Sequence, residues 1–367
     1  MSRADSQNLV PMRAAFLLPL ALLSTALAGC LSDGAESNAA TDLSADLAWT
    51  PDLNVTLPNG ASAWQFVYDF PMSYPFRLAV NGAPLASMVD ARNYLKQTLV
   101  GYGLPVVEQP YSSTGTNILA IQPGTFNAEQ WVVLSCHYDS TESTVYAAWD
   151  DGAGCSALLE MARTFSTFAW NRTVVYAFFD EEESGLVGSE NFVAEYAAVD
   201  GMTVAANINF DPPSLNYPCA DQQGYFPVKI IIPEAKVADA KLPGFAALKA
   251  SVEYAIDAAA VPRDVVDYEA GIPIATVNGM GLTGGSDHMS FDAVNIPNVF
   301  IGGTPTTTAG PAAALTYALH TPLDTVQQME ARCGGADLLK GGFQTTLDLA
   351  WHTMRAYDQV AYAEPVA

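Results

Sequence analysis

His137 and Asp139 follow directly on an apolar run, Trp131 to Cys136, and that placement recurs along the chain. Asp150 and Asp151 precede a glycine-rich stretch. Asp180, Glu181, Glu182 and Glu183 follow the apolar run Thr173 to Phe179, and Asp211 follows the run ending at Phe210. His320 opens the segment His-Thr-Pro-Leu-Asp, which closes on Asp324. Short apolar runs of this kind read as buried strands, and groups at their carboxyl ends converge on one rim of a sheet. Carboxylates crowded there repel one another unless a cation lies among them. Lys and Arg together number only 15 of 367 residues, and only Arg172 falls near these positions. A divalent cation is the simplest neutraliser. Mixed imidazole and carboxylate donors suit zinc, whereas an all-oxygen set would suit magnesium or calcium. Each residue taken singly has an ordinary explanation. An Asp after a strand caps a helix or turn, a glutamate run is a solvated face, and a lone His packs in the core. The joint placement, in a chain with four His in all, is what points to a metal.

The elements needed to position these groups are legible as alternating patterns. Val89 to Tyr102 has helical spacing, ended by Gly101 and Gly103. Pro105 to Gln109, Asn117 to Gln122, Trp131 to Cys136, Thr173 to Phe179 and Val204 to Phe210 read as strands. Gly154 to Phe168 and Val187 to Ala198 read as helices between them. Val228 to Ile232, Ile272 to Val277 and Asn298 to Ile301 continue as strands, with Phe245 to Ala258 and Leu338 to Tyr357 as helices. Such alternation predicts a three-layer α/β/α fold around a central, largely parallel mixed sheet. No repeat and no change of composition interrupts residues 62–367, which are read as one catalytic domain.

The first thirty residues are read differently. Met12 and Arg13 precede an apolar run from Ala14 to Ala28 that ends Leu27-Ala28-Gly29-Cys30. A basic flank, a short apolar core and small residues predict an export signal over 1–30. Its ending resembles the lipobox of prokaryotic lipoproteins, which implies lipidation at Cys30; a plain secreted chain is the alternative. Residues 31–61, polar and without hydrophobic period, read as a flexible tether. The expected address is the outer face of the cytoplasmic membrane, held only through the lipid anchor. Of the other cysteines, Cys136 and Cys155 read as buried free thiols, while Cys219 and Cys333 lie in loop-like sequence where they could pair. The formal charge is −24, with 39 acidic residues and only six Lys. That balance excludes nucleic acid as a partner and suits a high-salt setting.

Several segments resemble metallopeptidase family twenty-eight, the co-catalytic zinc aminopeptidases that include bacterial leucyl aminopeptidases. They are Cys136-His137-Tyr138-Asp139-Ser140, Asp150-Asp151-Gly152-Ala153-Gly154, Glu182-Glu183-Ser184-Gly185-Leu186-Val187-Gly188-Ser189, Asn209-Phe210-Asp211, Ser286-Asp287-His288 and His320-Thr321-Pro322-Leu323-Asp324-Thr325. They stand in the family's order, across about residues 85–357. The resemblance implies two Zn2+ ions bridged by Asp150, one completed by Glu183 and His320, the other by His137 and Asp211. It implies Glu182 as general base and Asp139 as the group holding the second ring nitrogen of His137. Asp287 would line the site, and Asp324 would steady the His320 loop. The implied activity is release of N-terminal residues from peptide substrates. Two departures stand out: Pro212-Pro213 follows Asp211 where a small hydrophobic residue and Gly are usual, and Asp151 replaces a common Asn. With Glu181, Asp151 adds negative charge that would tighten metal binding, favour cationic substrates or simply cap helices.

Other functions fit the same fold. A glutaminyl cyclase would use one zinc and would not need the second-site His. A zinc carboxypeptidase would need a basic residue for the substrate carboxylate, for which Arg263 and Arg332 are candidates. A non-catalytic peptide-binding lipoprotein would need no metal. The sequence does not give the oligomeric state.

Overall fold

The computed structural model describes residues 56–197, 203–213, 228–261, 266–270, 286–302 and 320–363. In chain order the elements are α1 (Gly60–Asp69), a small hairpin of β1 (Ala79–Val80) and β2 (Ala83–Pro84), and α2 (Ala86–Gly101). There follow β3 (Val106–Pro110), β4 (Thr116–Gln122), β5 (Asn127–His137), α3 (Gly152–Phe165), β6 (Arg172–Phe179) and α4 (Val187–Phe192), extended by one π turn to Ala197. The second half holds β7 (Thr203–Phe210), β8 (Val228–Ile232), α5 (Glu234–Val237), α6 (Pro243–Ala258) and β9 (Val266–Ala270). It closes with α7 (His288–Ala293), β10 (Asn298–Gly302), α8 (Val326–Cys333) and α9 (Ala336–Ala363).

Eight strands form one sheet in the order β3-β4-β6-β5-β7-β10-β8-β9. The central four, β6, β5, β7 and β10, run parallel. β4 joins β6 antiparallel on one side, and β8 joins β10 antiparallel on the other. The sheet is therefore mixed with a parallel centre, as the alternating pattern predicts. Register decides what the parallel strands present. His137 pairs with Phe179, Ser135 with Asn209, and Phe210 with Ile301. The carboxyl ends of β5, β6, β7 and β10 thus stop at one level, and the residues that follow share one rim.

Both faces of the sheet are covered. Along β5, Val132, Leu134 and Cys136 point into one core with α1, α2, α3, α6 and α9, while Trp131 and Val133 point into another with Phe192 and Phe291. Every residue of β6 is buried, as expected for a strand with helices on both sides. The sequence periodicity assigns no helix to 60–69, yet α1 lies in the first core through Ala63, Trp64 and Val67. Its N-terminus is capped by Asn59, whose side chain accepts from the amides of Ala61 and Ser62.

The cysteine expectation is corrected in one respect. Cys136 and Cys155 are not free thiols but a disulfide, their Cα atoms 5.3 Å apart. Helix α3 folds back directly behind the end of β5, which brings together two positions that sequence shows only as 19 residues apart. Cys333, at the end of α8, is also disulfide-bonded. Cys219 and Cys30 lie outside the described residues, as do the proposed strand Ile272 to Val277 and Arg263. Among the described residues no helix is long and apolar enough to cross a membrane.

Candidate metal centre

His137 is the last residue of β5 and is almost wholly buried. Its Nδ1 lies 3.2 Å from Asp139 Oδ1, while Nε2 lies 3.2 Å from Asp150 Oδ1 and 3.5 Å from Asp211 Oδ1. Asp139 does more than hold the ring. Its two oxygens also accept the amides of Glu182 and Glu183, at 3.1 and 3.2 Å, so the glutamate loop is hung on the same carboxylate.

Asp150 sits in the turn before α3, and its peptide bond to Asp151 is cis. One carboxylate oxygen faces His137; the other lies 3.1 Å from His320 Nε2. His320 Nε2 is also 3.1 Å from Glu183 Oε2. The Asp150 carboxylate therefore stands between two imidazoles, each with a further carboxylate beside it. Asp324 places this turn by accepting the amides of Trp149 (2.7 Å) and Asp150 (3.1 Å). The carbonyl of His320 is held instead by Ser143 Oγ at 2.7 Å. Asp151 is tied to the backbone instead. It accepts from the amides of His137 and Gly154, capping α3. Gly154 is needed at that cap, because a Cβ there would collide with the Asp151 carboxylate and the Phe210 carbonyl.

Glu182 is buried, with Oε2 4.0 Å from His137 Nε2. Asp287 heads α7 and is wholly buried. A polar ladder reaches its turn through the sheet: Asn207 Nδ2 donates to Ser135 Oγ, Ser135 donates to Asn209, and Asn209 donates to Ser286 Oγ at 2.6 Å. Asn209 in the Asn-Phe-Asp segment thus ties β7 to the Asp287 turn.

The charges are strained by this crowding. Burial first, and then neighbouring carboxylates, push Asp151, Glu182, Glu183 and Asp211 above the usual carboxylate range. Burial raises Asp287 to about 7, with Asp211 and Asp139 adding to it. His137 moves the opposite way from what burial dictates, because Asp211 and Glu182 favour its charged form and carry it well above its ordinary value. Hydrogen bonds to Asp150 and Glu183 raise His320 to about 10. Every one of these shifts is what a site short of positive charge would show.

The donor set fits zinc. Donors on one tetrahedral ion at ~2.1 Å lie roughly 3.4 Å from each other, and the contacts here run from 3.1 to 3.5 Å. Asp150, Glu183 and His320 lie close enough together to hold an ion, and His137, Asp151 and Asp211 form a second such group, which Asp150 meets through His137 at 3.2 Å. Asp151 is close enough to join His137 and Asp211, but its oxygens are committed to backbone amides. Cys136 and Cys155 are excluded as ligands because their sulfurs are bonded to each other.

Two cations near the site were not found by sequence, and the one named there is elsewhere. Arg172 begins β6, at the far end from the site, where it binds Gln130 and the carbonyl of Asp358. Arg77 is fully buried beneath the acidic rim. Its guanidinium donates to the carbonyls of Tyr138 (2.6 Å), Tyr146 (2.6 Å) and Ala147 (3.1 Å), tying the His137 loop to the Asp150 turn. Burial lowers it to about 10 against the pull of Asp324, Asp139, Asp151 and Asp150, so it stays charged at neutral pH. Arg92 binds Asp180 at 2.6 Å and Tyr138 Oη at 2.8 Å.

Residues 117–222 match the model of peptidase family M28. This is the family that the sequence motifs resemble. The matched stretch holds His137, Asp139, Asp150, Glu182, Glu183 and Asp211. Over 125 residues the chain is 30% identical to aminopeptidase NAALADL1 of Mus musculus, which spans 32% of this chain and 16% of that protein. Over 103 residues it is 32% identical to a probable zinc metalloprotease of Pyrenophora tritici-repentis, 26% of this chain and 24% of the relative. The chain thus spans a quarter or less of these relatives. Among solved structures, the Legionella pneumophila LapA aminopeptidase aligns with a TM-score of 0.58 at 21% identity, over 82% of this chain and 71% of that one. Porphyromonas gingivalis glutaminyl cyclase aligns with a TM-score of 0.54 at 19% identity, over 82% of this chain and 98% of that one. At these identities the likeness is one of fold: the α/β layers with a mixed sheet are those of M28 aminopeptidase structures.

Proposed function

We propose that this chain is a zinc exopeptidase that removes N-terminal residues from peptides with two Zn2+ ions, one in each half of the Asp150 cluster. The observation that carries the reading is the Asp150 carboxylate, whose two oxygens face His137 and His320 separately. His137 and Asp211 would hold one ion, Glu183 and His320 the other. Bound zinc supplies a Lewis acid for the scissile carbonyl and makes water a better nucleophile near neutral pH.

The remaining work falls to the chain. Glu182 takes the proton of the attacking water at its carboxylate and returns it to the departing amine. Its buried position keeps its affinity for that proton high. Asp139 fixes the ring of His137 through Nδ1 and sets the height of Glu182 through its amide. The unbalanced carboxylates offer a counter-charge to a free α-amine, which is what makes the expected cleavage an end-directed one.

The fold neighbour in Porphyromonas gives a second reading, cyclisation of N-terminal glutamine. The close pair of His137 and Asp211 favours the two-ion peptidase. The deciding experiment is metal analysis of the purified protein beside free and N-blocked aminoacyl anilides and a glutaminyl peptide. Two zinc ions per chain and cleavage confined to unblocked substrates support the proposal. Loss of ammonia from the glutaminyl peptide without anilide cleavage moves it to the cyclase.

Lipidation at Cys30 and tethering outside the cytoplasmic membrane are part of the same proposal. A disulfide beside the site accords with an exported protein. Cell fractionation of a Cys30→Ser chain tests it, and an unaltered membrane fraction would remove the lipid anchor from the reading.

A further inference from the structure

The polar ladder inside the sheet does not stop at the Asp287 turn. Val133, Ser135 and His137 are alternate residues of β5, and Asn207, Asn209 and Asp211 are alternate residues along and just past β7. The two strands are parallel neighbours, with Val133 opposite Asn207 and Ser135 opposite Asn209. Alternate residues share a face, so the ladder leads along one face to His137 and Asp211, the pair that would hold one ion. Ser135, Asn207 and Asn209 have no exposed surface, and Ser286 is 3% exposed. The core on this face is apolar, with Val133, Phe179, Phe192 and Phe291 in it. Aliphatic residues would fill such positions at little cost in stability, so the polar ones call for another reason.

Counting donors gives the ladder a direction. The Val133 carbonyl can only accept, and Asn207 Nδ2 lies 3.3 Å from it and 2.8 Å from Ser135 Oγ. The amide end of Asn207 is thus fixed, and Ser135 accepts from it. A hydroxyl has one hydrogen, so that of Ser135 goes to Asn209 Oδ1, 2.7 Å away. Asn209 then presents its NH2 on the other side, where Nδ2 lies 2.6 Å from Ser286 Oγ. Ser286 accepts in turn, and its own hydrogen is left for the Asp211 side chain, to which it is hydrogen-bonded. Each step leaves the next no choice, and the last donor points at a carboxylate that, when ionised, can only accept.

We propose that Ser135 and Asn209 are positioning residues for the ion that His137 and Asp211 would hold: the ladder keeps the Ser286 hydroxyl turned toward Asp211 and so fixes which way that carboxylate faces. Both residues are wholly buried, so they act through Asp211. Asp211 lies one residue past the end of β7, where the strand no longer dictates its side chain. Breaking the ladder frees the Ser286 hydroxyl to turn away, and Asp211 loses its fixed donor. The proposal rests on the two-ion reading and adds to it the residues that set the affinity of one ion.

The test is calorimetric titration of zinc into the chelator-stripped full chain, with an Asp211→Asn variant to mark the step that belongs to His137 and Asp211. Ser135→Ala and Asn209→Leu should weaken that step by about tenfold, the scale of lost support behind a metal ligand, and leave the step of Asp150, Glu183 and His320 unchanged. Ser135→Thr keeps the hydroxyl and should bind as the parent does. Thermal melts of the metal-free proteins show which variants are folded; should Asn209→Leu not fold, the two Ser135 variants carry the comparison. Unchanged affinity in Ser135→Ala overturns the proposal. Equal weakening of both steps overturns it too, since that is a general loosening of the sheet, and so does a Ser135→Thr protein as weak as Ser135→Ala. If the parent takes up a single ion, the two-ion reading fails instead, and the same comparison on that one step decides the ladder. A loss of about tenfold in Ser135→Ala that is absent in Ser135→Thr upholds it, and anything less overturns it. A parent that takes up no zinc overturns both.

Discussion

Glu182 and His288 show how the same condition, burial, gives two side chains opposite consequences. Glu182 is driven toward its protonated form by burial and by Asp211, with His137 pulling the other way. A base so placed is useful only if a cation beside it holds it ionised between turnovers. Glu182→Gln keeps the shape and removes the proton acceptor. It should retain zinc and lose turnover by roughly 10²–10⁴-fold, with KM little changed; steady-state kinetics beside metal analysis checks this, and near-normal kcat would refute the base. His288 is fully buried against Phe300, with neither ring nitrogen hydrogen-bonded. Burial lowers it to about 4, although Asp292 pulls upward. Its folded-state value lies below its unfolded one, so between about pH 6.5 and 4 the unfolded chain takes up a proton that the folded chain refuses. Its contribution is therefore present above that window and lost as pH falls through it. Relative to wild type, His288→Phe should lose less stability between pH 7 and 5, by on the order of 2 kcal/mol. Paired urea titrations at the two pH values measure that difference; equal losses would mean that the ring finds a partner.

At the scale of elements, what the sequence made legible was whatever a strand end states locally. Apolar runs stop at Cys136, Phe179 and Phe210, and polar residues follow at once. The observed strands end within a residue of those points, at His137, Phe179 and Phe210, and parallel register does the rest. Contacts between distant segments were not legible. Nothing local in the sequence sets Arg77 apart, and only the fold shows that its neighbours are the carbonyls of 138, 146 and 147. Helix α1 was not legible as an element: Ala63, Trp64 and Val67 share one helical face, but what places the helix is packing on α3 and α9, far off in sequence. The Cys136–Cys155 link escaped for the same reason, since spacing says nothing about a helix turning back on a strand. That disulfide pins the start of α3 to the end of β5, with His137 next to one end and Asp151 four residues from the other. Closing a loop of this size is worth about 3 kcal/mol through the unfolded chain. The Cys136→Ala, Cys155→Ala double variant should lose about that much in urea unfolding and should also bind zinc less tightly. A variant equally stable but weaker for zinc would show that the link serves the site more than the fold.

For the molecule as a whole, two kinds of repulsion must be told apart. The formal charge of −24 is mostly a surface matter, and salt screens it: the Debye length falls from about 10 Å at 0.1 M to about 3 Å at 1 M. The melting temperature should therefore rise with added NaCl. The carboxylates at the sheet rim are buried, and salt reaches them poorly. Chelation should lower the melting temperature, and the loss should be much the same at both salt concentrations. Protons, unlike salt, can replace the missing cation. In the metal-free protein Glu182, Glu183 and Asp211 have raised folded-state values, and His320 is raised to about 10. For His320 the folded value exceeds the unfolded one, so its contribution is complete below about pH 6.5 and disappears as pH rises toward 10. For the raised carboxylates the sign is the same, because protonation favours the folded state. The chelated protein should thus regain stability as pH falls from about 9 to about 6.5, whereas the zinc-loaded protein, whose rim is already neutralised, should change little over that interval. Scanning calorimetry of both forms at the two pH values measures this. A chelated protein that melts alike at both would mean that the rim carboxylates are not in competition for positive charge, and the metal assignment would lose its physical basis.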